Sequence, residues 1–376
     1  MSRISRSGAV FAAVGATAAL ALTACGTTNS STGGGACSVK IGYLGALTGD
    51  AGALGQNMLG GINTALAKYN AAHSDCKVSV MSEDSQGDAA QATPLAKTLI
   101  DDANVIGVVG PGFSKESAAT GGSFSQAGLA TVSPSATNVK LTTNGWKTFH
   151  RVLANDDAQG PAAAKYLTAA GAKKVFVIDD SEDYGTGLAT AVKKALGSSV
   201  AGTDSIQQKQ TDFAATVTKV KSSGADAVFV GGYYQEAGLI AKQLRQAGWT
   251  GKFESGDGSE DPKFIDVAGK AAAEGAILTA AAAPATADFT AAYKAANGGK
   301  EPGLYSAEAY DATNVFLDAI AAGKTTRADV LAFVNSYDKP GVTKQIKFTS
   351  TGEVTTQTIY AYVVKGGVIQ PGKPIE

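Results

Sequence analysis

Val105-Ile-Gly-Val-Val-Gly110-Pro-Gly-Phe-Ser114-Lys-Glu-Ser117, then a run of small residues, then Leu129-Ala-Thr-Val-Ser133-Pro-Ser-Ala-Thr137-Asn138: this stretch decides how the chain is built. An apolar β pattern meets a Gly/Pro turn and a Ser-led helix start. A second strand then meets a Pro turn and a Thr/Asn cap. Both turns fall where a parallel sheet presents the carboxyl ends of its strands, the edge at which open α/β sheets bind ligands.

The two turns share a chemistry. Ser114 and Ser117 in one, Ser135 and Thr137 in the other, stand beside backbone N–H groups that a helix start leaves free. A helix start favours an anion by about 0.3 to 1 kcal/mol when exposed and up to about 2 when partly buried. Two of them would hold one carboxylate. Read locally, Ser114 and Thr137 serve equally well as plain N-caps, and both roles stay open.

Outward toward the N-terminus, Arg3 and Arg6 precede an apolar run over 9–22 that ends in Leu22-Thr-Ala-Cys25. The run is short for a bilayer span and has the layout of a signal peptide, residues 1–24. Its end matches the bacterial lipobox, which makes Cys25 the lipidated first residue of the mature chain. Several acyl chains on one residue suffice for stable anchoring. Residues 25–36, rich in Gly, Ser and Thr, have a flexible tether's composition. The expected location is extracytoplasmic, lipid-anchored to the outer face of the cell membrane.

About 340 residues follow, enough for a large core and more than one lobe. With 44% hydrophobic and 17% charged residues and a net charge of −1, the chain lacks the clustered Lys and Arg that phosphate backbones require, so nucleic acid is not an expected partner. Cys37 and Cys76 remain, each just before a β pattern. In an exported chain they suggest a disulfide, and if their strands are parallel neighbours the loop closure contributes about 4 kcal/mol.

The pattern alternates strand and helix: strands at 39–44, 78–83, 105–110 and 149–153 and around Val132, with helices at 56–72, 89–102 and after Phe113. The series repeats, with helices at 162–170, 187–196, 213–222 and 236–247 and strands at 174–179, 199–203, 227–230 and around Phe253. A helical block at 289–335 and β patterns at 345–349 and 358–364 close the chain. The fold class is α/β with two parallel-sheet units. Residues 335–341, Asn-Ser-Tyr-Asp-Lys-Pro-Gly, read as a crossing between them.

Several motifs fail on inspection. Gly45-Ala-Leu-Thr-Gly49-Asp-Ala-Gly52-Ala-Leu-Gly55 is too spread for a dinucleotide fingerprint and suits a ligand-facing loop. Asp179-Asp-Ser-Glu-Asp-Tyr184-Gly185 lacks the glycine and glutamate of a calcium loop. Two histidines, His73 and His150, and no G-x-S-x-G elbow give no catalytic constellation, and no metal or cofactor set is found, so an enzyme is not expected. Tyr184, Tyr233 and Asp257 each end a predicted strand. Singly they are loop residues; with Ser114 and Thr137 they supply an anion site, a cation partner and two aromatic walls, the parts of a zwitterion clamp.

Ile41-Gly-Tyr-Leu-Gly-Ala-Leu-Thr-Gly49, Val108-Val-Gly-Pro-Gly-Phe-Ser114, Ser133-Pro-Ser-Ala-Thr137, Asp183-Tyr-Gly-Thr-Gly-Leu-Ala189 and Val230-Gly-Gly-Tyr-Tyr234 give the chain its resemblance. Nearly the whole mature length resembles the branched-chain amino acid binding proteins of ABC importers, the type I periplasmic-binding fold. The resemblance implies two Rossmann-like lobes, 38–156 plus 283–338 and 157–282 plus 339–376, joined by a three-strand hinge and closing on an amino acid. It implies that Ser114 and the Thr137 backbone hold the α-carboxylate. The Ser135 carbonyl, the Thr137 hydroxyl and Asp257 would take the α-ammonium, and Tyr184 and Tyr233 would close over the ligand.

The family commonly has glutamate where Asp257 stands, and its best-known members have tyrosine at Leu54 and cysteine at Phe113. Leu54 and Phe113 keep the side-chain region apolar, where burying an aliphatic ligand chain would contribute about 1.5 to 3 kcal/mol. The implied function is a monomeric solute-binding lipoprotein that captures leucine, isoleucine or valine and delivers it to an ABC permease. Two alternatives stand beside it: a binder of amides, urea or aromatic acids, and a ligand-sensing subunit of a membrane receptor.

Overall fold

The structure, a computed structural model, describes residues 38–375. The expected signal peptide, tether, Cys25 and Cys37 lie outside the described residues. The first lobe runs β1 (Lys40–Gly45), α1 (Gly52–Ala72), β2 (Ser79–Asp84), α2 (Ala89–Asp101), β3 (Val105–Val109), α3 (Ser114–Gln126), β4 (Ala130–Ser133) and β5 (Phe149–Arg151). Its five strands are parallel in the order β2-β1-β3-β4-β5. β3 is buried at every residue, as a central parallel strand with both faces covered must be.

The second lobe repeats the plan. It runs α4 (Asp156–Ala169), β6 (Val175–Asp179), α5 (Asp183–Leu196), β7 (Val200–Ser205), α6 (Ala214–Ser222), β8 (Ala227–Gly231), α7 (Tyr234–Gln246) and β9 (Lys252–Ser255). α8 (Pro262–Ala268), α9 (Lys270–Ala273) and β10 (Ile277–Ala280) complete it. The order β7-β6-β8-β9-β10 is parallel and matches the first lobe's. In each sheet the crevice therefore opens at the carboxyl ends, between the first and third strands of the lobe, where the strand order reverses.

The chain then returns to the first lobe. α10 (Ala287–Ala296), α11 (Ser306–Ala321) and α12 (Arg327–Asn335) pack there, α11 along α1 and α12 against β3. Gly107 of β3 makes room for Phe316 of α11, whose ring would stand 2.2 Å from a Cβ at that position. β11 (Asp338–Pro340) and β12 (Gln345–Lys347) form a small antiparallel pair. β13 (Tyr360–Lys365), β14 (Val368–Ile369) and β15 (Lys373–Pro374) then extend the second sheet, β13 antiparallel to β10.

Three differences from the sequence reading have physical causes. α4 begins at Asp156 and not at 162: the Asn155 side chain caps it by accepting from Asp157 N at 3.0 Å, and Gly160 in its first turns lets Ala191 of α5 approach to 2.4 Å of a Cβ position. β10, assigned no element, comes from an alanine-rich stretch, and pairing on both edges overrides that composition. The crossing at 335–341 does not reach the second lobe. Val342 and Thr343 donate to Asp311 of α11, and Gly352 accepts from Arg151 N, so the chain stays on the first lobe until it enters β13.

The lobes are thus joined by three connections, 152–155, 281–286 and 355–359, none of them in regular strand. β1 and β2 pair in parallel with Lys40 opposite Ser79.

The contact of α1 with α11 is tight. A Cβ on Gly61 would fall 2.0 Å from the Ser306 carbonyl oxygen, a fixed backbone atom. Gly61→Ala is expected to cost about 1 to 3 kcal/mol by overpacking. Urea unfolding should show a lowered midpoint at unchanged slope; an unshifted midpoint would mean that the helices are free to part.

Candidate functional site

The first lobe supplies one wall. The turn after β3 delivers Phe113 to the N-cap of α3 with extended backbone and no capping side chain. Glu116 ties down this helix start instead, since its Oε2 accepts from Phe113 N at 3.1 Å while its Oε1 accepts from the Ser85 hydroxyl. Ser114 is therefore the first helical residue and not a cap. Its Oγ accepts from Asn138 N at 3.3 Å, tying the two turns together.

The second turn is equally closed. Ser135 Oγ donates to the Gly112 carbonyl at 2.5 Å. Capping of the short turn at Val139–Thr142 falls to Asn138, through Lys140 N at 2.9 Å, so Thr137 is not a cap either. The Thr137 hydroxyl is buried beside the Asp156 carboxyl, whose charged form it favours, and does not line the cavity described below.

The second lobe supplies the other wall. Asp257 follows β9 and is wholly buried. Its Oδ1 accepts from Gln159 Nε2 at 2.9 Å and from the Tyr184 hydroxyl at 2.7 Å. Tyr184 stands in the first turn of α5, and its oxygen accepts from Gly258 N at 2.9 Å. Tyr233 holds the N-cap of α7 and packs edge-on against Phe113 across the cleft, with ring centroids 5.4 Å apart, and beside Tyr184 at 5.1 Å.

One residue of the site escaped the sequence reading. Tyr305, at the N-cap of α11 in the first lobe, donates its hydroxyl to Asp257 Oδ2 across the cleft. Its backbone is left-handed, with φ 66°, a conformation that bulky residues adopt only where the surroundings hold them in it.

Phe113, Ser114, Ser135, Tyr184, Tyr233, Asp257 and Tyr305 enclose, with Gly112, a cavity of about 10 Å³. Leu54 is not among them. α1 starts at Gly52, four residues before the expected point, so Leu54 falls in the helix's first turn and is wholly buried in the core.

Contacts across the mouth complete the closure. Lys115 of α3 reaches Glu182 at 3.4 Å and Gln208 Oε1 at 2.7 Å, and Asn138 Nδ2 donates to the Asp183 carbonyl at 2.5 Å. Phe113 and Tyr233 also face an outer cavity of about 380 Å³, lined by Asp50, Lys115, Glu182 and Glu236 among others. Among the described residues no group of three or more His, Cys, Asp or Glu stands ready for a metal ion. His150 is a core residue, its Nε2 at 2.9 Å from Asn335 Oδ1.

Burial governs the electrostatics. It raises the Asp257 carboxyl above its ordinary range although three donors from Tyr305, Tyr184 and Gln159 pull it down. It likewise pushes Glu116 up to about 7, against the hydrogen bonds from Ser85 and Phe113. What the arrangement does chemically is present hydroxyls, helix-start amides and a buried carboxylate to one enclosed point.

A family model described as periplasmic binding protein matches residues 38–368. Leu/Ile/Val-binding protein BraC3 of Rhizobium johnstonii is 30% identical over 88% of this chain and 93% of its own length. Leu/Ile/Val-binding protein homolog 3 of Brucella melitensis biotype 1 is 32% identical over 85% and 89%. Among solved structures, the branched-chain amino acid transporter substrate binding protein LivJ of Streptococcus pneumoniae, in complex with isoleucine, superposes with a TM-score of 0.83 at 27% identity, covering 90% of this chain and 99% of that one. The leucine binding protein LivK of Thermotoga maritima gives 0.80 at 29%, with the same coverage.

Glu116 sets a pH dependence. A carboxyl raised in the folded chain holds its proton where the unfolded chain has lost it, so stability falls as pH rises from the ordinary glutamate range, about 4.5, to about 7 and levels beyond. Glu116→Gln is expected to flatten part of that fall. Urea midpoints measured between pH 5 and 8 check it, and an unaltered slope would remove Glu116 as a cause.

Proposed function

This chain belongs to the periplasmic binding protein family, and we propose that it is the extracytoplasmic solute-binding protein of an ABC importer for leucine, isoleucine or valine. The observation that carries the reading is Asp257, a wholly buried carboxylate facing Ser114 and Ser135 across an enclosed cavity between two lobes. An α-ammonium beside Asp257 gains a charge partner in low dielectric, and an α-carboxylate meets the start of α3. Tyr184 and Tyr233 close over the ligand from the second lobe, and Phe113 supplies the apolar contact for its side chain. Binding proceeds without turnover.

In this reading the Thr137 hydroxyl, buried beside the Asp156 carboxyl, is the second acceptor for the ammonium. Asp257 also bears on a second ligand class. Its three neutral donors already satisfy it, so a ligand without an ammonium does not strand it. That observation favours amides or acids as the second reading.

Isothermal titration after unfolding and refolding, which strips carried ligand, separates the two. Micromolar binding of the aliphatic amino acids, worth about −8 kcal/mol, is expected, with Asp257→Ala weakening it by about 2 to 5 kcal/mol. Heat from urea, an amide or benzoate alone would keep the fold and discard the ammonium role.

The anchor and the bridge belong to the same reading. Cys25 carries lipid, and Cys37 pairs with Cys76, a reading that the parallel pairing of β1 with β2 supports. Mass spectrometry of the mature protein should find an acylated Cys25 and a peptide pair joined through Cys37 and Cys76 that separates on reduction. Unmodified Cys25 would remove the anchor, and alkylation of Cys76 without reductant the bridge.

A further inference from the structure

Arg151, the last residue of β5, is wholly buried in a place where sequence motifs gave no hint of it. Its Nη1 donates to the Ala136 carbonyl at 2.7 Å and its Nη2 to the Asn138 carbonyl at 3.0 Å, the two carbonyls on either side of Thr137. The same Nη2 meets Glu353 Oε1 at 2.9 Å. Glu353 comes from the segment that stays on the first lobe before the third connection, where Gly352 also accepts from Arg151 N at 3.0 Å.

The geometry points to Arg151 as the residue that positions the carboxylate side of the ligand site, with Glu353 as its anchor; this rests on the amino acid reading above. In a planar trans peptide the C=O and the following N–H point in opposite directions. Fixing the Ala136 carbonyl on the guanidinium therefore aims the Thr137 N–H away from it, and fixing the Asn138 carbonyl holds the other end of the turn. The planar fork of arginine spans both carbonyls and the carboxylate at once, which a lysine ammonium on its flexible stem does not. Glu353 balances the buried charge. It also accounts for the chain's path, since residues 342–354 must pass β5 to deliver it.

Arg151→Lys tests this, with Gly251→Ala, which crowds Trp249 and the Asp226 carbonyl at the amino ends of β8 and β9, the edge opposite the cleft, as a control that lowers stability without touching the site. Hydrogen exchange at residues 135–138 is expected to speed up about tenfold in Arg151→Lys and not in the control. Leucine affinity should fall about tenfold, while leucinol, which lacks the carboxylate, loses less than about twofold. Unchanged exchange at 135–138, or equal losses for leucine and leucinol, overturns the assignment. If the unsubstituted protein binds no amino acid, the functional reading fails and exchange alone decides the positioning role. Should Arg151→Lys not fold, Glu353→Gln, which releases the guanidinium from its anchor, carries the same comparison.

Discussion

Asp257 can be buried as a carboxylate only because hydroxyls reach it from two lobes. An isolated ionised carboxylate in a protein interior costs many kcal/mol, and hydrogen bonds must offset that cost. Gln159 and Tyr184 come from the second lobe, but Tyr305 comes from the first. The second oxygen of Asp257 is therefore satisfied by protein only when the cleft is shut. Closure and the satisfaction of this one group are a single event, and the cleft's polarity is built around it.

Three helices that start at the cleft carry an aromatic residue where a capping side chain would stand. α2, α4, α8, α10 and α12 each start with an Asp, Asn or Thr whose side chain caps the first turn. α3, α7 and α11 start with Phe113, Tyr233 and Tyr305, none of which caps. A lost cap costs about 1 kcal/mol, so three of them are a substantial sacrifice. What the chain gains is a ring of aromatic side chains placed at helix starts, with uncapped amide groups beside them. Aromatic walls and anion-binding amides then come from the same positions.

This pattern also explains what was legible in the sequence. β3 and β4 with their turns could be read because strand, Gly/Pro turn and hydroxyl residue follow one another locally, and Ser114, Ser135, Tyr184, Tyr233 and Asp257 all lie within a few residues after a strand. Tyr305 ends none; it precedes a helix, and only its failure to be a Ser, Thr, Asp or Asn marks it. Leu54 misled for a related reason: the glycines before it read as loop, while the helix starts at Gly52 and turns it into the core. Arg151 was silent because two of its partners are backbone carbonyls, of Ala136 and Asn138, and the third, Glu353, arrives only with the last return of the chain to the first lobe.

The enclosed cavity has room for about one water molecule, far less than an amino acid needs. A ligand therefore enters a form in which the lobes have parted, and parting breaks Lys115 from Glu182, Asn138 from the Asp183 carbonyl and Tyr305 from Asp257. Measured affinity is then the ligand's intrinsic affinity reduced by the fraction of molecules that are open. Contacts across the mouth that hold the empty cleft shut compete with binding unless they re-form around the ligand. Those at the rim, Lys115 and Asn138, lie outside the enclosed space and can re-form. Tyr305 shares the space with the ligand, so its hydroxyl and an ammonium compete for the same oxygen of Asp257, and the closed empty form sets the threshold that a ligand must exceed.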